Sequence, residues 1–322
     1  MTTKFSELFG EFAIKGIKLR NRVVAPPMYQ GRPIVSAQGI AWYRRLAAGG
    51  VGMVIIEGIS VRRFTEELTA ASLRTLAEAI HREGAAAVVQ LTMQTKGAGT
   101  DPNTLTPAEL DETVSLFGHA ARVCQLAGFE GTEPHGAHGF LLNQFFSPAK
   151  NRRTDLFGGD TVKRCLMALR IVGQIRKETG PGSLLLYRHT PKGEGYGLTE
   201  SLILAQGLVS SGVDVLDISP AKEQEVADLA APFKACGVPV LAVNGMEDAA
   251  AACGAIRAGR CDLVGLGRQL IADSRWPRLI QEGREGEIVA CRKCDQGCYG
   301  ALGTGKNVAC VQWKADEVAA WT

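Results

Sequence analysis

Four cysteines crowd together near the end of the chain, in a pattern that suits metal or redox chemistry. Cys291, Cys294 and Cys298 stand close together, and Cys310 follows after eleven further residues. Zinc sites usually combine two separated Cys-x2-Cys pairs, whereas three close thiolates can wrap one corner of a 4Fe-4S cluster. The spacing therefore favours an iron-sulfur cluster, with a structural zinc site as the alternative. The other five cysteines have apolar or helical surroundings and are interpreted as small core residues: Cys124, Cys165, Cys236, Cys253 and Cys261.

Two histidines, His135 and His138, stand three positions apart where a predicted strand gives way to a loop. We interpret them as a pair that binds the substrate. One alternative is a structural histidine pair. Another is a zinc site with Glu133 as third ligand, because Glu133 shares the strand face of His135.

Eight short runs of branched apolar residues recur along the chain, each followed by a loop and a helical pattern, as is typical of a parallel sheet. The predicted strands are Val23–Met28, Val51–Glu57, Ala86–Leu91, Phe129–His135, Leu184–Arg188, Val213–Ser219, Val238–Val243 and Asp262–Gly267. Eight such units close naturally into a (β/α)8 TIM barrel, which is the predicted α/β fold. An open doubly wound sheet is the alternative. Its glycine-rich dinucleotide turn is missing, since the first strand leads into Pro26-Pro27-Met28-Tyr29.

The helical stretches between these strands carry end signals. Pro107–Ala127 is predicted as a helix with Thr106 as its N-cap and Gly128 as its stop, and Val162–Thr179 as another. Their amphipathic pattern gives each helix an apolar face to pack on the barrel.

The C-terminal ends of barrel strands carry the reactive groups, and phosphate often binds after strands seven and eight. Those two strands lead into Asn244-Gly245 and Gly267-Arg268. Glycines allow a close backbone approach and arginine supplies a fixed cation, so we expect a phosphate site here. Tight turns beside a surface arginine are the alternative.

Strands three and five end in Gln90 and Arg188. A glutamine can hydrogen-bond the edge of a planar heterocycle, and an arginine can stabilise negative charge that develops on it. Each residue could instead be a satisfied polar group of the core.

Length and composition narrow the class of protein. The 322 residues allow either two domains or one barrel with a short appendage. The chain has 46% hydrophobic and 21% charged residues and a net charge of +3, with no basic tract for nucleic acid or membrane surfaces. No uncharged apolar run reaches the ~18 residues of a membrane helix, and residues 1–16 carry acids where a signal peptide is apolar. We therefore expect a cytoplasmic protein with no nucleic-acid or membrane partner.

Several ordered motifs together resemble the old yellow enzyme family of FMN-dependent barrel oxidoreductases. They are Asn21-Arg22 with Pro27-Met28, His135-Gly-Ala-His138, Leu142–Phe145 with Ser147-Pro148, Asn151–Asp155 with Gly158-Gly159, Arg188, and Gly267-Arg268. The resemblance implies FMN across the barrel mouth, contacted by Pro27, Met28, Gly58, Gln90, Arg188, Asn244, Gly245, Gly267 and Arg268. It also implies that His135 and His138 hold a carbonyl or similar group of a small-molecule substrate.

The cysteine spacing resembles the cluster loop of bacterial 2,4-dienoyl-CoA reductase, and a related loop occurs in trimethylamine dehydrogenase. By this resemblance, Cys291, Cys294, Cys298 and Cys310 bind a 4Fe-4S cluster. The expected domains are an FMN-binding barrel over residues 1–285 and a cluster-binding extension over residues 286–322. The long relatives continue into flavin- and nicotinamide-binding domains, so we expect a separate electron-transfer protein or reductase to serve this chain. A homo-oligomer is one of the assembly states that the sequence allows.

One departure from the family concerns the proton donor. Relatives usually have a tyrosine where this chain has Phe140. Tyr29 or water is the candidate replacement, and a packing role at the pocket rim is the alternative for Tyr29. The strand-six acid and imidazole of trimethylamine dehydrogenase also lack a clear match in residues 219–224.

Three functions follow from these residues. The first is reduction of the C=C bond of a small α,β-unsaturated carbonyl compound by FMN and the cluster. The second keeps both cofactors and oxidises an N-methyl amine or a saturated ring, which the missing tyrosine favours. The third is a non-redox barrel, such as a phosphosugar lyase, with a zinc-binding tail.

Overall fold

The computed structural model describes residues 5–93, 101–221 and 226–316. Within them, strands numbered along the chain are β1 Phe12–Ile14, β2 Ile17–Leu19, β3 Val23–Ala25, β4 Met53–Ser60, β5 Ala86–Thr92, β6 Gly131–Gly136, β7 Leu184–His189, β8 Val215–Ile218, β9 Val240–Val243 and β10 Leu263–Gly265. Strands β3 to β10 form a closed parallel barrel in chain order, with β10 paired to β3. The predicted (β/α)8 barrel is therefore confirmed.

The eight predicted strands correspond one to one with the barrel strands. The largest differences lie in the second strand, predicted as Val51–Glu57 and found as Met53–Ser60, and in the first, which is predicted to reach Met28 and ends at Ala25. Pro26 and Pro27 follow, and because proline has no N–H it cannot donate to the ladder. The chain leaves the barrel there and runs over its mouth.

Helices lie between the strands and pack on the outside of the barrel. They are α1 Ser6–Phe9, α2 Ala37–Ala48, α3 Arg63–Glu66, α4 Ala70–Arg82, α5 Pro107–Ala127, α6 Leu141–Phe146, α7 Thr161–Thr179, α8 Leu198–Ser210, α9 Val226–Ala230, α10 Ala249–Arg257, α11 Arg268–Ala272 and α12 Trp276–Gln281. Helix α5 has the predicted ends: Thr106 and Glu109 form a capping box, and Gly128 ends the helix with φ of 99°. Such an N-cap contributes about 1 kcal/mol to helix stability.

Inside the barrel, apolar side chains of the strands pack together in one cluster. The antiparallel hairpin of β1 and β2 inserts Ile14 and Leu19 among inward-facing residues such as Met53 and Leu184. This packing closes the N-terminal end of the barrel. The chemistry must therefore lie at the opposite end, where the inward side chains become polar.

The C-terminal extension packs against the rim of the barrel mouth. Trp313 lies 6.0 Å from Trp42 between ring centroids and donates its Nε1 hydrogen to the Ile271 carbonyl at 3.0 Å. The Val308 amide donates to the carbonyl of Gln30 at 3.0 Å. Residues 286–316 of the predicted extension thus cover the side of the mouth formed by β10 and β3, whereas residues 317–322 lie outside the described residues.

No helix among the described residues has both the length and the apolar character needed to cross a membrane.

Candidate active site at the mouth of the barrel

A cavity of about 1530 Å³ opens at the C-terminal ends of the barrel strands. Small-molecule sites usually occupy ~300–1,000 Å³, so this cavity has room for a cofactor together with a substrate. The structure brings eleven of the twelve predicted catalytic and cofactor-binding residues to its wall: Pro27, Met28, Tyr29, Gly58, Gln90, His135, His138, Arg188, Asn244, Gly267 and Arg268. Gly245 lines a small adjoining cavity instead.

Gln90 presents a defined face of its amide to this cavity. Its Nε2 donates to Glu133 Oε1 at 2.8 Å, so its Oε1 is directed the other way, towards Gly58. A Cβ at Gly58 would lie 2.9 Å from that oxygen, which is closer than real contacts allow. Glycine at position 58 therefore keeps the Gln90 carbonyl accessible to a planar ligand.

Arg188 is buried in the floor of the cavity. Its Nη2 donates to the Ser219 hydroxyl at 2.9 Å, and its Nε lies 3.4 Å from Asp217 Oδ2. That Nε has no hydrogen-bond partner among the described residues. A buried guanidinium with spare donors fits a ligand that carries or develops negative charge.

The two predicted histidines lie together above this arginine. The His135 and His138 rings meet edge to face with centroids 5.3 Å apart, and His138 Nε2 lies 3.1 Å from the Ser219 hydroxyl. Burial, and then Arg188, lowers the pKa of His138 to about 3, and the same causes hold the pKa of His135 well below its usual value. Both imidazoles are therefore neutral at physiological pH and can donate a hydrogen bond without adding charge.

The cavity wall beside the histidine pair carries aromatic side chains. Phe140 lies 4.3 Å from His135 between ring centroids and lines the cavity. Tyr29 also lines the cavity, with 49% of its surface exposed, as expected of a residue at the pocket rim. Its role as a proton donor stays a prediction.

The predicted phosphate site lies where β9 and β10 end. Asn244 and Gly245 have φ of 84° and 70°, a left-handed pair that turns the chain sharply beside Gly267 and Arg268. Left-handed φ is easily accessible to glycine and tolerated by asparagine. Arg268 Nη1 lies 2.8 Å from Asp295 of the extension, so this carboxylate orients the arginine at the edge of the site. These small residues and their adjoining cation fit a phosphate group.

The four clustered cysteines lie in the extension beside this site. Ala309 donates its amide hydrogen to the Gly297 carbonyl at 3.1 Å, which places the neighbouring Cys298 and Cys310 on adjacent backbone segments. A Cβ at Gly297 would lie 2.1 Å from the Ala309 carbonyl, so only glycine permits this approach. Backbone amides point at two of the sulfurs, from Lys293 to Cys291 Sγ at 3.4 Å and from Gln312 to Cys310 Sγ at 3.5 Å. Hydrogen bonds to sulfur are among the contacts that tune iron-sulfur clusters.

The thiols nevertheless form no closed ligand set. In residues 5–93, 101–221 and 226–316, no three His, Cys, Asp or Glu side chains are grouped to hold a metal ion. This also applies to the zinc alternative at the histidine pair, because Glu133 contacts Gln90 instead. The cysteine ligands remain a prediction.

Sequence reasoning named Glu133 but missed two other carboxyl groups of the site, those of Asp217 and Glu57. Asp217 lies beneath Arg188, and Glu57 lines the cavity, where its Oε2 accepts hydrogen bonds from the Gln30 amide at 2.8 Å and Tyr43 hydroxyl at 3.2 Å. Burial raises the pKa of Glu57 to about 7. Asp217 carried a usable signal, since it has the strand parity of Ser219, two positions on. Residues 222–225, which include part of the segment compared with trimethylamine dehydrogenase, lie outside the described residues.

Comparison with known proteins assigns the chain to a protein family and identifies relatives in that family. The profile of the NADH:flavin oxidoreductase / NADH oxidase family matches residues 95–287. The chain is 32% identical to an NADH oxidase of Thermoanaerobacter brockii, over 92% of this chain and 54% of that protein. It is 26% identical to a cinnamate reductase of Clostridium sporogenes, over 96% of this chain and 58% of that protein.

A solved structure agrees at the level of the fold. The structure of 2-naphthoyl-CoA reductase with 2-naphthoyl-CoA superposes with a TM-score of 0.87 at 22% identity, over 95% of this chain and 56% of that chain. The chain thus spans little more than half the length of these relatives.

Proposed function

The chain belongs to the NADH:flavin oxidoreductase / NADH oxidase family, a family of flavin-dependent oxidoreductases, and on that premise we propose an FMN- and 4Fe-4S-dependent ene reductase. Its substrate would be a small α,β-unsaturated carbonyl compound. Bound FMN would supply the hydride for the C=C bond, and the cluster would relay electrons to it.

One observation carries the proposal: the neutral histidine pair lies in the wall of the same cavity as Gln90 and Arg188. Neutral N–H donors at His135 and His138 can hold and polarise a substrate carbonyl while negative charge develops on its oxygen. Because the donors are fixed by packing and by Ser219, little reorganisation is needed during the reaction.

The residues that would hold FMN fit its chemistry. The carbonyl of Gln90 and the spare Nε donor of Arg188 suit the polar edge of a flavin ring. Pro27 and Met28 offer an apolar surface, and the turn at Asn244-Gly245 with Gly267-Arg268 suits the phosphate. The barrel therefore supplies both an edge site and a phosphate site.

The extension would hold the cluster through Cys291, Cys294, Cys298 and Cys310, for which the amide-to-sulfur contacts provide support. Cys294 is exposed, whereas the half-exposed Tyr299 and Leu302 line the cavity. An exposed thiol among the proposed cluster ligands suits contact with a separate electron-transfer protein or reductase, which we include in the proposal. Free cysteines on this surface suit a reducing compartment such as the cytoplasm.

A second candidate function is oxidation of an N-methyl amine or a saturated ring, with electrons leaving through the cluster. The observation that favours it is Phe140, which places no hydroxyl beside His135. Removal of a hydride from a C–H bond does not need that proton donor.

Anaerobic titration distinguishes the two functions. The reduced protein is mixed with enones, enoates and enoyl thioesters, and the oxidised protein with methylated amines, while flavin absorbance is followed. The proposal expects at least one unsaturated carbonyl compound to reoxidise the flavin. Reduction by an amine with no reoxidation by any member of the panel would make the second function correct.

A further inference from the structure

Two carboxyl groups meet in the interior of the barrel beneath the cavity. Glu133 on β6 and Asp217 on β8 are both 0% exposed. Parallel pairing aligns Gln90 with Glu133 across β5 and β6, and Arg188 with Asp217 across β7 and β8. Across β6 and β7 the pairing aligns Arg188 with His135, two positions beyond Glu133. We call these four interior side chains, which belong to four neighbouring strands, the polar layer.

The hydrogen bonds of this layer are incomplete when both carboxyls are treated as anions. Glu133 Oε2, both oxygens of Asp217, and Arg188 Nε have no hydrogen-bond partner among the described residues. The Arg188 Nε lies 3.4 Å from Asp217 Oδ2, an ion pair without hydrogen-bond geometry. Buried polar atoms nearly always have a partner, so several orphans in one layer call for an explanation.

A proton between the two carboxyls removes part of this deficit. We propose that Glu133 and Asp217 hold one proton between them, and that this carboxyl pair is a positioning device for Gln90 and Arg188. The protonated carboxyl donates to the other, and the remaining single negative charge balances the guanidinium of Arg188. The layer is then neutral overall, which is the favourable state for buried groups.

The charged surroundings support this protonation state. Burial first, and then the adjacent Asp217, raises the pKa of Glu133 well above its usual value, while Arg188 acts in the opposite direction. Burial also raises the pKa of Asp217. The other titratable groups above the layer, His135 and His138, are neutral and leave its charge unchanged. Two carboxylates that share a buried site typically keep one proton.

The pair acts on the cavity through Gln90. Because Glu133 Oε1 accepts the Gln90 Nε2 hydrogen, the Gln90 carbonyl is fixed towards Gly58. The layer therefore presents an acceptor and a charge-balanced guanidinium side by side. That a flavin ring receives them rests on the proposed function, whereas the shared proton does not.

Infrared spectroscopy of the cofactor-free protein tests the shared proton directly. At about pH 9, where ordinary carboxyl groups are ionised, the wild type should show a protonated carboxylic acid C=O band. Glu133→Gln removes that group, and Asp217→Asn lets Glu133 ionise against Arg188, so both variants should lose the band. Glu57→Gln is the matched control, since Glu57 is a buried carboxyl of the same cavity with a pKa of about 7, and it should keep the band. Absence of the band in the wild type, or its survival in either pair variant, overturns the proposal.

A double-variant cycle on the same cofactor-free protein gives a second test. Each single variant keeps one carboxylate for Arg188, so its unfolding midpoint should stay near that of the wild type. The Glu133→Gln, Asp217→Asn double variant leaves the guanidinium without a balancing charge. The factor by which it raises the unfolding equilibrium constant over the wild type should be at least about tenfold larger than the product of the factors for the two single variants. Additive effects contradict the pair. Neither test depends on FMN, so a failure here is distinguishable from a failure of the proposed function.

Discussion

The ring of Phe140 lies 4.3 Å from the ring of His135, centroid to centroid, at the wall of the cavity. This contact places an apolar side chain next to a neutral imidazole at the point where a substrate carbonyl is expected. Proton supply at this wall therefore depends on another residue or on water. The rate of C=C reduction should respond to a hydroxyl introduced here.

Phe140→Tyr should accelerate reduction of an enone, because a positioned acid contributes about 10²–10⁴-fold to such a proton transfer. We expect a gain of about 10²-fold in the rate at which the enone reoxidises the reduced protein, measured by anaerobic stopped flow. Phe157→Tyr, at an aromatic residue outside the cavity lining, is the control and should leave that rate unchanged. An unchanged rate in Phe140→Tyr would place the proton source elsewhere.

Gly58→Ala should weaken FMN binding. The added Cβ would lie 2.9 Å from Gln90 Oε1 and must displace that amide. We expect about a tenfold rise in the dissociation constant of FMN, equivalent to about 1.4 kcal/mol, in a fluorescence titration of the apoprotein.

Gly254→Ala supplies the control for that substitution. Gly254 lies in α10, and a Cβ there meets nothing within 4 Å. The control should raise stability by up to about 1 kcal/mol and leave FMN binding unchanged. Equal affinities in the two variants would show that the space beside Gln90 is not needed for FMN.

Because of Glu57, the free energy of unfolding should fall as pH rises. Burial raises its pKa from 4.5 to about 7, so the folded protein binds this proton more tightly than the unfolded chain does. The stabilisation is complete below about pH 4.5 and is lost as pH rises through about 7, by about 3 kcal/mol in total. Urea unfolding at about pH 5 and pH 8 should show this loss for the wild type relative to Glu57→Gln. The same pH dependence in both proteins would mean that Glu57 does not titrate as described.

On the proposed function, Cys310→Ala should prevent binding of the proposed 4Fe-4S cluster. Iron and acid-labile sulfide, measured on protein purified without oxygen, should fall to background in this variant. Cys236→Ala is the control, because Cys236 lies at the end of a short helical turn, where burial raises its pKa. It should keep wild-type iron. A wild-type metal content of zinc without sulfide would favour the structural zinc alternative.

The barrel itself was predictable because each strand carries a local signal, the branched apolar run, and each long helix has marked ends such as Thr106 and Gly128. The first strand is predicted too long because apolar character extends past Ala25, whereas the ladder ends at Ala25 and Pro26 cannot donate to it. The rule that barrel sites lie at the C-terminal strand ends then brought eleven of the twelve predicted site residues to the cavity wall, whereas their roles stay predictions.

The carboxyl groups of the site could not be predicted in the same way. Glu133 and Asp217 are brought near each other only through the register of three strands, β6, β7 and β8, which a single sequence does not give. Glu57 lies at a register irregularity between Ile56 and Ile59, so strand alternation does not predict its orientation. The positions of these carboxyl groups depend on how distant strands pair, whereas the two histidines are only three residues apart in the sequence.

The central claim is that the barrel mouth binds FMN, and identification of the bound cofactor tests it most directly. The protein is purified anaerobically, the released cofactor is identified by chromatography, and FMN binding by the apoprotein is titrated. The account predicts one FMN per chain, saturable rebinding, and weaker binding in Arg268→Ala, which alters the phosphate end of the site. A wild-type protein that releases no flavin and shows no saturable binding of FMN would contradict it.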